Sequence, residues 1–136
     1  MAATIIIVDD EPDLLDLLKL ILTEKTDYNV LTTTDPYEAL AWCRDYRADV
    51  LISDLRMPQI EGIELLKLLR DEDETIPFLI MTAYGTIESA VEAMRLGAFD
   101  YITKPFRKEQ IIMTIRKALA RRQVLQTAAA GKVSSS

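Results

Sequence analysis

The sequence contains no histidine. That absence excludes histidine-based catalytic triads, histidine metal ligands and histidine general bases from this chain. A single cysteine, Cys43, excludes an internal disulfide, and its place within a helical pattern is typical of a small buried hydrophobe. The chemistry open to the chain therefore rests on carboxylates, hydroxyls and lysine.

Basic residues are also few, with 16 lysines and arginines against 22 acidic residues and a net charge of −6. Binding to a phosphate backbone needs a basic footprint, so we expect no direct nucleic-acid binding by this domain. No apolar run approaches the length of a membrane span, and the amino terminus lacks a signal pattern, so a cytoplasmic protein with no membrane partner is expected. A hydrophobic content of 49% in 136 residues predicts one globular domain with a substantial core.

Short apolar runs alternate five times with segments of helical periodicity. The alternation predicts right-handed βαβ crossovers and an α/β fold with a doubly wound five-stranded parallel sheet. Residues 127–136 are rich in Ala, Gly and Ser without apolar periodicity, which predicts a flexible linker or tail. The strands are predicted at residues 4–8, 28–33, 49–54, 78–82 and 100–103, and the helices from Pro12, from Pro36, after Gly62, from Ile87 to Gly97 and through Ile111 to about Gln126.

Polar residues with possible site roles end or follow four of the predicted strands, whereas Thr33, which ends the second strand, adds nothing evident to them. The carboxyl ends of parallel strands meet at one edge of a sheet, where open α/β folds keep their chemistry. Carboxylates gathered there repel one another unless a cation lies among them, and oxygen ligands favour a hard ion such as Mg²⁺. The residues predicted at this edge are Asp9, Asp10, Asp54, Thr82 and Lys104.

Asp54 is the central residue of this set because it ends the apolar run of the third strand. An aspartate there is a candidate nucleophile that forms an aspartyl phosphate, with the metal and Lys104 neutralising the transferring group. The alternative is that Asp54 only bonds backbone N–H groups of a following turn. Likewise, Asp9 and Asp10 have an alternative role as caps of the first helix. The joint occurrence of acids, a hydroxyl and a cation favours the phosphoryl site.

Four motifs in order make the chain similar to receiver domains of two-component response regulators. The similarity covers about residues 4–119, and it implies a flavodoxin-like sheet with strand order 2-1-3-4-5 and five helices. It further implies a receiver domain at residues 1–122 and a linker or tail at residues 123–136. The motifs are VDDE at 8–11, SDLRMP at 53–58 with Gly62, MTA at 81–83 and YITKPF at 101–106.

The resemblance implies a role for each site residue. Asp54 becomes the phosphoacceptor and, with Asp10, a direct Mg²⁺ ligand, whereas Asp9 acts mainly through a metal-bound water. Arg56 contributes its backbone carbonyl, since its side chain is always cationic. A sensor histidine kinase is the implied phosphodonor.

Further residues of the same motifs complete the implied switch. Thr82 and Lys104 bind phosphoryl oxygens, small Ala83 leaves room for the group, and the Lys104–Pro105 bond is expected to be cis. Tyr101 is the switch aromatic that turns inward when Thr82 moves. Arg56 and Tyr84 occupy positions that tune the phosphoryl lifetime.

The segment TAYG at 82–85 with AVEAMRLGAFDY at 90–101 resembles receivers of sigma-54-dependent enhancer-binding activators. The ATPase and DNA-binding domains of such activators are not in this sequence, and no Gly-x-x-x-x-Gly-Lys loop is present. We therefore expect a signalling domain and not an enzyme with an external substrate. A stand-alone receiver that acts by protein docking is the alternative.

Two other functions on similar chemistry are weighed against the receiver. Phosphohydrolases of the haloacid-dehalogenase type place a second acid two residues after the nucleophile, where this chain has Arg56, so turnover is expected to be poor. A flavin-binding module needs a Gly, Ser and Thr-rich phosphate loop after the first strand, where Asp9 and Asp10 repel phosphate.

The output is expected on the face formed by the fourth helix, fifth strand and fifth helix, with a homodimer as its form. Ile111, Ile115 and Leu119, followed by Val124 and Leu125, extend the last helix toward a pairing segment, although Arg122 interrupts this apolar stripe. A single amphipathic helix with a frayed end is the alternative.

Overall fold

The computed structural model describes the backbone of residues 2–134 and the side chains of residues 2–128. Its five strands form one parallel sheet in the order β2-β1-β3-β4-β5, which confirms the predicted fold. The strands are β1 (Thr4–Val8), β2 (Asn29–Thr33), β3 (Val50–Ser53), β4 (Phe78–Thr82) and β5 (Asp100–Thr103). The helices are α1 (Pro12–Lys25), α2 (Pro36–Asp45), α3 (Gly62–Glu72), α4 (Ile87–Arg95) and α5 (Lys108–Ser134).

The sheet lies between two layers of helices. Every residue of β3 and β4 is buried, as expected for central parallel strands covered on both faces. Helices α1 and α5 pack on one face, and α2, α3 and α4 supply buried residues to the other. Within residues 2–134, no helix combines the length and apolarity needed to cross a membrane.

Local signals set several helix boundaries. The side chain of Asp35 caps α2 by accepting a hydrogen bond from the Tyr37 N–H at 2.9 Å. Thr86 and Ser89 form a reciprocal capping box at the start of α4. Gly97, just after α4, has a φ of 101°, a left-handed conformation that costs glycine little.

The apolar stripe of α4 faces away from the sheet. Among the helix residues only Ala93 is buried, whereas Ile87 is 81% exposed and Val91 and Met94 are about half exposed. An exposed stripe of this kind marks a candidate contact surface, because single domains normally turn such a face to their core.

Helix α5 continues past Gln126, where the apolar pattern predicts its end, to Ser134. A helix that is already nucleated adds residues cheaply, and alanine has the highest helix propensity. The glycine at 131 costs about 1 kcal/mol relative to alanine without ending the helix. Residues 135 and 136 lie outside the described residues, and the assignment of residues 123–136 to a linker or tail stays a prediction.

Arg122 does not interrupt the buried stripe of α5 but continues it. Ile111, Ile115 and Ala118 are almost fully buried against the sheet, and Arg122 is 8% exposed on the same side. Its Nε lies 3.5 Å from Oδ1 of Asp49, which precedes β3. The opposite charge just before a neighbouring strand makes burial of this polar residue possible.

Candidate functional site

Three carboxylates meet at the carboxyl ends of β1 and β3. These strands are neighbours, with Val8 paired to Ser53, so the residues that follow them lie side by side. Asp9, Asp10 and Asp54 each offer one carboxylate oxygen within 4.8 Å of the others. Asp9 and Asp54 are both 3% exposed, whereas Asp10 is open to solvent.

Lys104 enters the same site from the end of β5. Its ammonium nitrogen donates to Oδ2 of Asp9 at 2.9 Å and lies 3.5 Å from Oδ2 of Asp54. The peptide bond from Lys104 to Pro105 is cis, as the family resemblance implies. The sheet topology thus gathers residues from three strand ends into one charged cluster.

Burial and neighbouring charges shift the pKa values of this cluster. Desolvation raises the pKa of Asp9 to about 6, and the charge of Asp54 adds to this, whereas Lys104 and the Glu11 N–H oppose it. For Lys104, burial lowers the pKa, but its hydrogen bond with Asp9 and the charges of Asp9 and Asp54 outweigh burial and raise it. Lys104 is therefore held as a cation beside acids that carry more negative charge than it neutralises.

The backbone around Asp54 is fixed by close contacts. The Leu55 N–H donates to Oδ1 of Asp54 at 2.7 Å, and the Ser53 hydroxyl donates to the Asp54 carbonyl at 2.8 Å. A Cβ on Gly62 would collide with the carbonyl oxygen of Asp54, so only glycine fits where α3 begins. Oδ1 of Asp54 thus bonds a backbone N–H of the following turn, as the alternative role predicts. Oδ2 faces the ammonium of Lys104 instead.

Thr82 ends β4, the neighbour of β3 in the sheet, and is fully buried. Its hydroxyl oxygen accepts a hydrogen bond from the Tyr84 N–H at 3.1 Å, which leaves the hydroxyl hydrogen available as a donor. Ala83 is exposed and small. Thr33 had no evident site role in the sequence. Its hydroxyl donates to the carboxylate of Glu38 at 2.6 Å and so contacts α2 and not the site.

Arg56 and Tyr84, predicted separately as tuning positions, contact each other. The guanidinium carbon of Arg56 lies 5.9 Å from the centre of the Tyr84 ring, within cation–π range. Both side chains are exposed, and neither forms an ion pair or side-chain hydrogen bond with the described carboxylates of the cluster. The backbone carbonyl of Arg56 remains the atom predicted to face a metal.

Tyr101 contacts two residues that sequence reasoning missed. Its hydroxyl lies 2.9 Å from Oγ of Ser89, and a Cβ on Gly85 would come within 2.8 Å of the same hydroxyl oxygen. The half-buried ring thus covers the loop before α4 and reaches its first turn. The Thr86-x-x-Ser89 spacing is a visible helix-start signal, but nothing in the sequence pairs Ser89 with Tyr101.

The donor set of the cluster suits a hard divalent cation. All three candidate side chains are carboxylates, and the available backbone atom is a carbonyl oxygen, which together match Mg²⁺ and exclude a thiolate or imidazole site. Exposed Asp10 makes no side-chain hydrogen bond to another described residue, so its oxygens are available to an ion.

Comparison with known proteins agrees with this geometry. The family model of the response regulator receiver domain matches residues 5–116. A probable transcriptional regulatory protein TcrX of Mycobacterium tuberculosis is 34% identical over 94% of this chain and 54% of its own length. The C4-dicarboxylate transport transcriptional regulatory protein DctD of Pseudomonas aeruginosa is 37% identical over 90% of this chain and 26% of its own.

Solved structures give the same result. A response regulator receiver domain protein from Clostridium thermocellum superposes with a TM-score of 0.85 at 30% identity, covering 90% of this chain and 98% of that one. NtrX from Brucella abortus superposes with a TM-score of 0.86 at 31% identity, covering 96% of this chain and 29% of that one. The chain spans about half or less of the two curated relatives named above. Matched along most of its length in sequence and in fold, this chain belongs to the family of response regulator receiver domains.

Proposed function

We propose that this receiver domain is a phosphorylation-activated switch of a two-component system, in which Asp54 accepts a phosphoryl group from a sensor histidine kinase. The observation that carries the proposal is the position of Lys104, whose ammonium lies between the carboxylates of Asp9 and Asp54. A partly buried lysine shared by two buried acids is an arrangement that stabilises an added anionic group.

The two oxygens of Asp54 have different surroundings, which favours one of them as the nucleophile. Oδ1 already accepts the Leu55 N–H at 2.7 Å, whereas Oδ2 faces Lys104. In the proposed transfer, Oδ2 forms the new bond to phosphorus as the bond from phosphorus to the kinase histidine breaks. Lys104 then neutralises negative charge on the transferring group.

Mg²⁺ is the proposed cofactor. Asp10 and Asp54 would hold it directly, Asp9 through water, and Arg56 through its carbonyl oxygen. When bound, the ion supplies positive charge that offsets the repulsion among the carboxylates and the phosphoryl oxygens. The three carboxylate oxygens within 4.8 Å of one another support this assignment.

Thr82 and Ala83 complete the proposed phosphoryl site at the end of β4. Thr82 has a hydroxyl hydrogen to donate to a phosphoryl oxygen, because its oxygen already accepts the Tyr84 N–H. The small side chain of Ala83 leaves space beside the group. Lys104 provides the second contact to the phosphoryl oxygens.

The signal is proposed to pass from Thr82 to Tyr101 and then to the surface of α4, β5 and α5. A phosphoryl group adds negative charge and hydrogen-bond acceptors, which bias an equilibrium between two packings. A shift from about 1:99 to 99:1 needs roughly 5.5 kcal/mol, whereas ordinary couplings supply about 1–3 kcal/mol. We therefore expect a graded change in population.

A homodimer is the proposed form of the output, but its contact residues differ from those that the sequence pattern predicts. Ile111 and Ile115 are buried in the domain core, so they are not available to pair with a second copy. The exposed apolar side chains of these two helices are instead Ile87, Val91 and Met94 of α4 and Met113 and Val124 of α5.

The proposed cellular role is control of transcription from the cytoplasm. The curated relatives quoted above are named as transcriptional regulatory proteins, and the enhancer-binding resemblance points to a transcription-activating output domain. The receiver itself would neither contact nucleic acid, given its net charge of −6, nor bind a membrane. Beyond transfer to and from Asp54, no turnover of an external substrate is proposed, because Arg56 occupies the place of a phosphohydrolase acid.

Intact-mass measurement after incubation with acetyl phosphate and Mg²⁺ tests the phosphoacceptor. We expect one phosphoryl group on the wild-type chain and none on Asp54→Ala. Asp71→Ala serves as the control, because it removes an exposed carboxylate of α3. Equal incorporation in wild type and Asp54→Ala would refute the assignment.

A further inference from the structure

A cleft of about 1300 Å³ opens at the amino ends of the strands, on the opposite edge of the sheet from Asp54. Thr4 at the start of β1 and Asp49 just before β3 contribute to its wall, as do Leu119 and Arg122 of α5. Its size is ample for a small organic ligand, since pockets for such ligands measure about 300–1,000 Å³.

Arg122 is buried in the wall of this cleft with few partners. The residue is 8% exposed, and its Nε lies 3.5 Å from the nearest oxygen of Asp49, longer than a good hydrogen bond. Its Nη1 is covered and has no hydrogen-bond partner among the described residues. With its amide oxygen turned toward the guanidinium, exposed Gln126 accepts from Nε at 3.2 Å and from Nη2 at 2.9 Å.

Arg70, by contrast, is an arginine whose hydrogen-bond donors find acceptors within the domain. Its Nη1 donates to the carbonyls of Asp73 at 3.2 Å and Ile76 at 2.7 Å, and its Nη2 donates to the carbonyl of Gly97 at 2.8 Å. Burying a charged donor without such acceptors is costly. The contrast indicates that Arg122 has spare capacity for an acceptor from outside the domain.

Two of the three acids that line the cleft already accept hydrogen bonds from the protein, and the third, Glu72, lies 3.9 Å from Nη1 of Arg44. Oδ2 of Asp49 accepts the Thr4 N–H at 2.8 Å, and Oδ1 of Asp73 accepts both the N–H and the hydroxyl of Thr75 at 2.6 and 2.7 Å. Three arginines of the same lining, Arg44, Arg47 and Arg122, offer a ligand hydrogen-bond donors. The buried side chain of Ile76 and half-buried Leu119 add an apolar surface beside them.

We propose that this cleft binds a small carboxylic acid, with the carboxylate on the guanidinium of Arg122 and the apolar part against Leu119 and Ile76. The carboxylate takes the place of the Gln126 amide on Nε and Nη2, and it forms the paired contacts that a guanidinium favours. The recessed position of Arg122 selects a small molecule over a flat protein surface. Because Arg122 belongs to α5, the ligand fastens this helix to the base of the sheet, which is an input separate from Asp54.

Benzoate is the probe for this site, and the side-chain Nε–H signal of Arg122 in a ¹⁵N-resolved NMR titration of the full chain is the readout. We expect a saturable shift in the millimolar range, with accompanying shifts at Thr4 and Gln123. Benzamide has the same shape without the charge, and we expect it to bind at least several-fold more weakly.

Two lysine variants separate the site from general charge attraction. Arg122→Lys keeps the charge but loses the paired contact, so the saturable shifts of the amides at Thr4 and Gln123 are expected to disappear. Arg44→Lys changes an exposed arginine of the same cleft, and binding is expected to persist. Unchanged benzoate binding in Arg122→Lys, or shifts that never saturate in wild type, would overturn the site. An Arg122 signal that moves with protein concentration alone would assign the guanidinium to a carboxylate of a second copy and also overturn it.

Discussion

The hydroxyl of Tyr101 lies 2.9 Å from Oγ of Ser89, so strand β5 shares a hydrogen bond with the first turn of α4. The same Oγ accepts the Thr86 N–H at 3.0 Å within the capping box. One side-chain oxygen therefore ties the proposed switch aromatic to the start of the helix that displays the exposed apolar stripe.

A double-mutant cycle between Ser89→Ala and Tyr101→Phe measures this tie. We expect the two changes to be coupled by about 0.5–1.5 kcal/mol in the free energy of unfolding, the usual net value of a hydrogen bond. Denaturant unfolding of the four proteins provides the measurement. The control cycle pairs Thr23→Ala with Tyr101→Phe and should be additive, since the Thr23 hydroxyl donates to the Lys19 carbonyl on α1, outside this network. Additive effects in the Ser89 cycle would show that the contact contributes nothing.

Removal of Asp10 should weaken Mg²⁺ binding more than removal of Asp9. Both oxygens of Asp9 are engaged, one by Lys104 at 2.9 Å and the other by the Glu11 N–H at 2.9 Å, whereas Asp10 is exposed. Calorimetric Mg²⁺ titration of Asp10→Ala and Asp9→Ala gives the comparison. Asp16→Ala removes an exposed acid of α1 and corrects for the lost charge. A larger loss of Mg²⁺ affinity in Asp9→Ala than in Asp10→Ala would contradict the assignment.

Asp73 should stabilise the fold at neutral pH and lose this effect in acid. Burial raises its pKa, but hydrogen bonds from Thr75 and Ile76 and the charge of Arg122 outweigh burial, so the net pKa is lowered. Because the unfolded state then takes up the proton first, the contribution is complete above the ordinary aspartate pKa of about 3.9 and is lost as pH falls through the lower folded value.

The test compares unfolding free energies of wild type and Asp73→Asn between neutral pH and about pH 3. We expect the stability difference to shrink as the pH falls below the aspartate range. Asp71→Asn, an exposed neighbour on α3, controls for the change in net charge. A difference that stays constant or grows in acid would refute the stabilising role of the ionised carboxylate.

Val91→Ser and Val124→Ser should each weaken the proposed homodimer. Both side chains are exposed and apolar, at 49% and 63%, so burying them against a second copy would add roughly 1 kcal/mol each, or about fivefold in the dissociation constant. Sedimentation with and without beryllofluoride, a phosphoryl mimic, measures association. Leu17→Ser removes a comparably exposed side chain from α1 and should leave association unchanged.

A point change tests the dimer more cleanly than truncation after Leu119. Truncation there would delete Arg122, which the domain buries beside Asp49, and so would perturb the domain itself. A wild-type chain that remains monomeric at high micromolar concentration in both conditions would remove the dimer proposal. It would leave the assignment of Asp54 untouched.

The order of strands and helices was readable from the sequence because central parallel strands are covered on both faces. β3 and β4 are therefore continuous apolar runs, while Asp35 and Gly97 mark helix ends by their own conformational preferences. The same logic placed Asp9 and Asp54 at one edge, since residues that follow adjacent parallel strands lie together.

The faces that helices expose were decided only by tertiary structure. Periodicity gives the spacing of apolar residues, but it does not say whether a stripe meets the sheet or solvent, so the outward stripe of α4 was not evident. Likewise, Arg122 is a polar break in the apolar pattern of α5, although Asp49, which precedes β3, allows its burial. Local sequence fixes elements through short-range preferences, whereas contacts such as Arg122 with Asp49 and Tyr101 with Ser89 join residues from different elements and exist only once the sheet has brought them together.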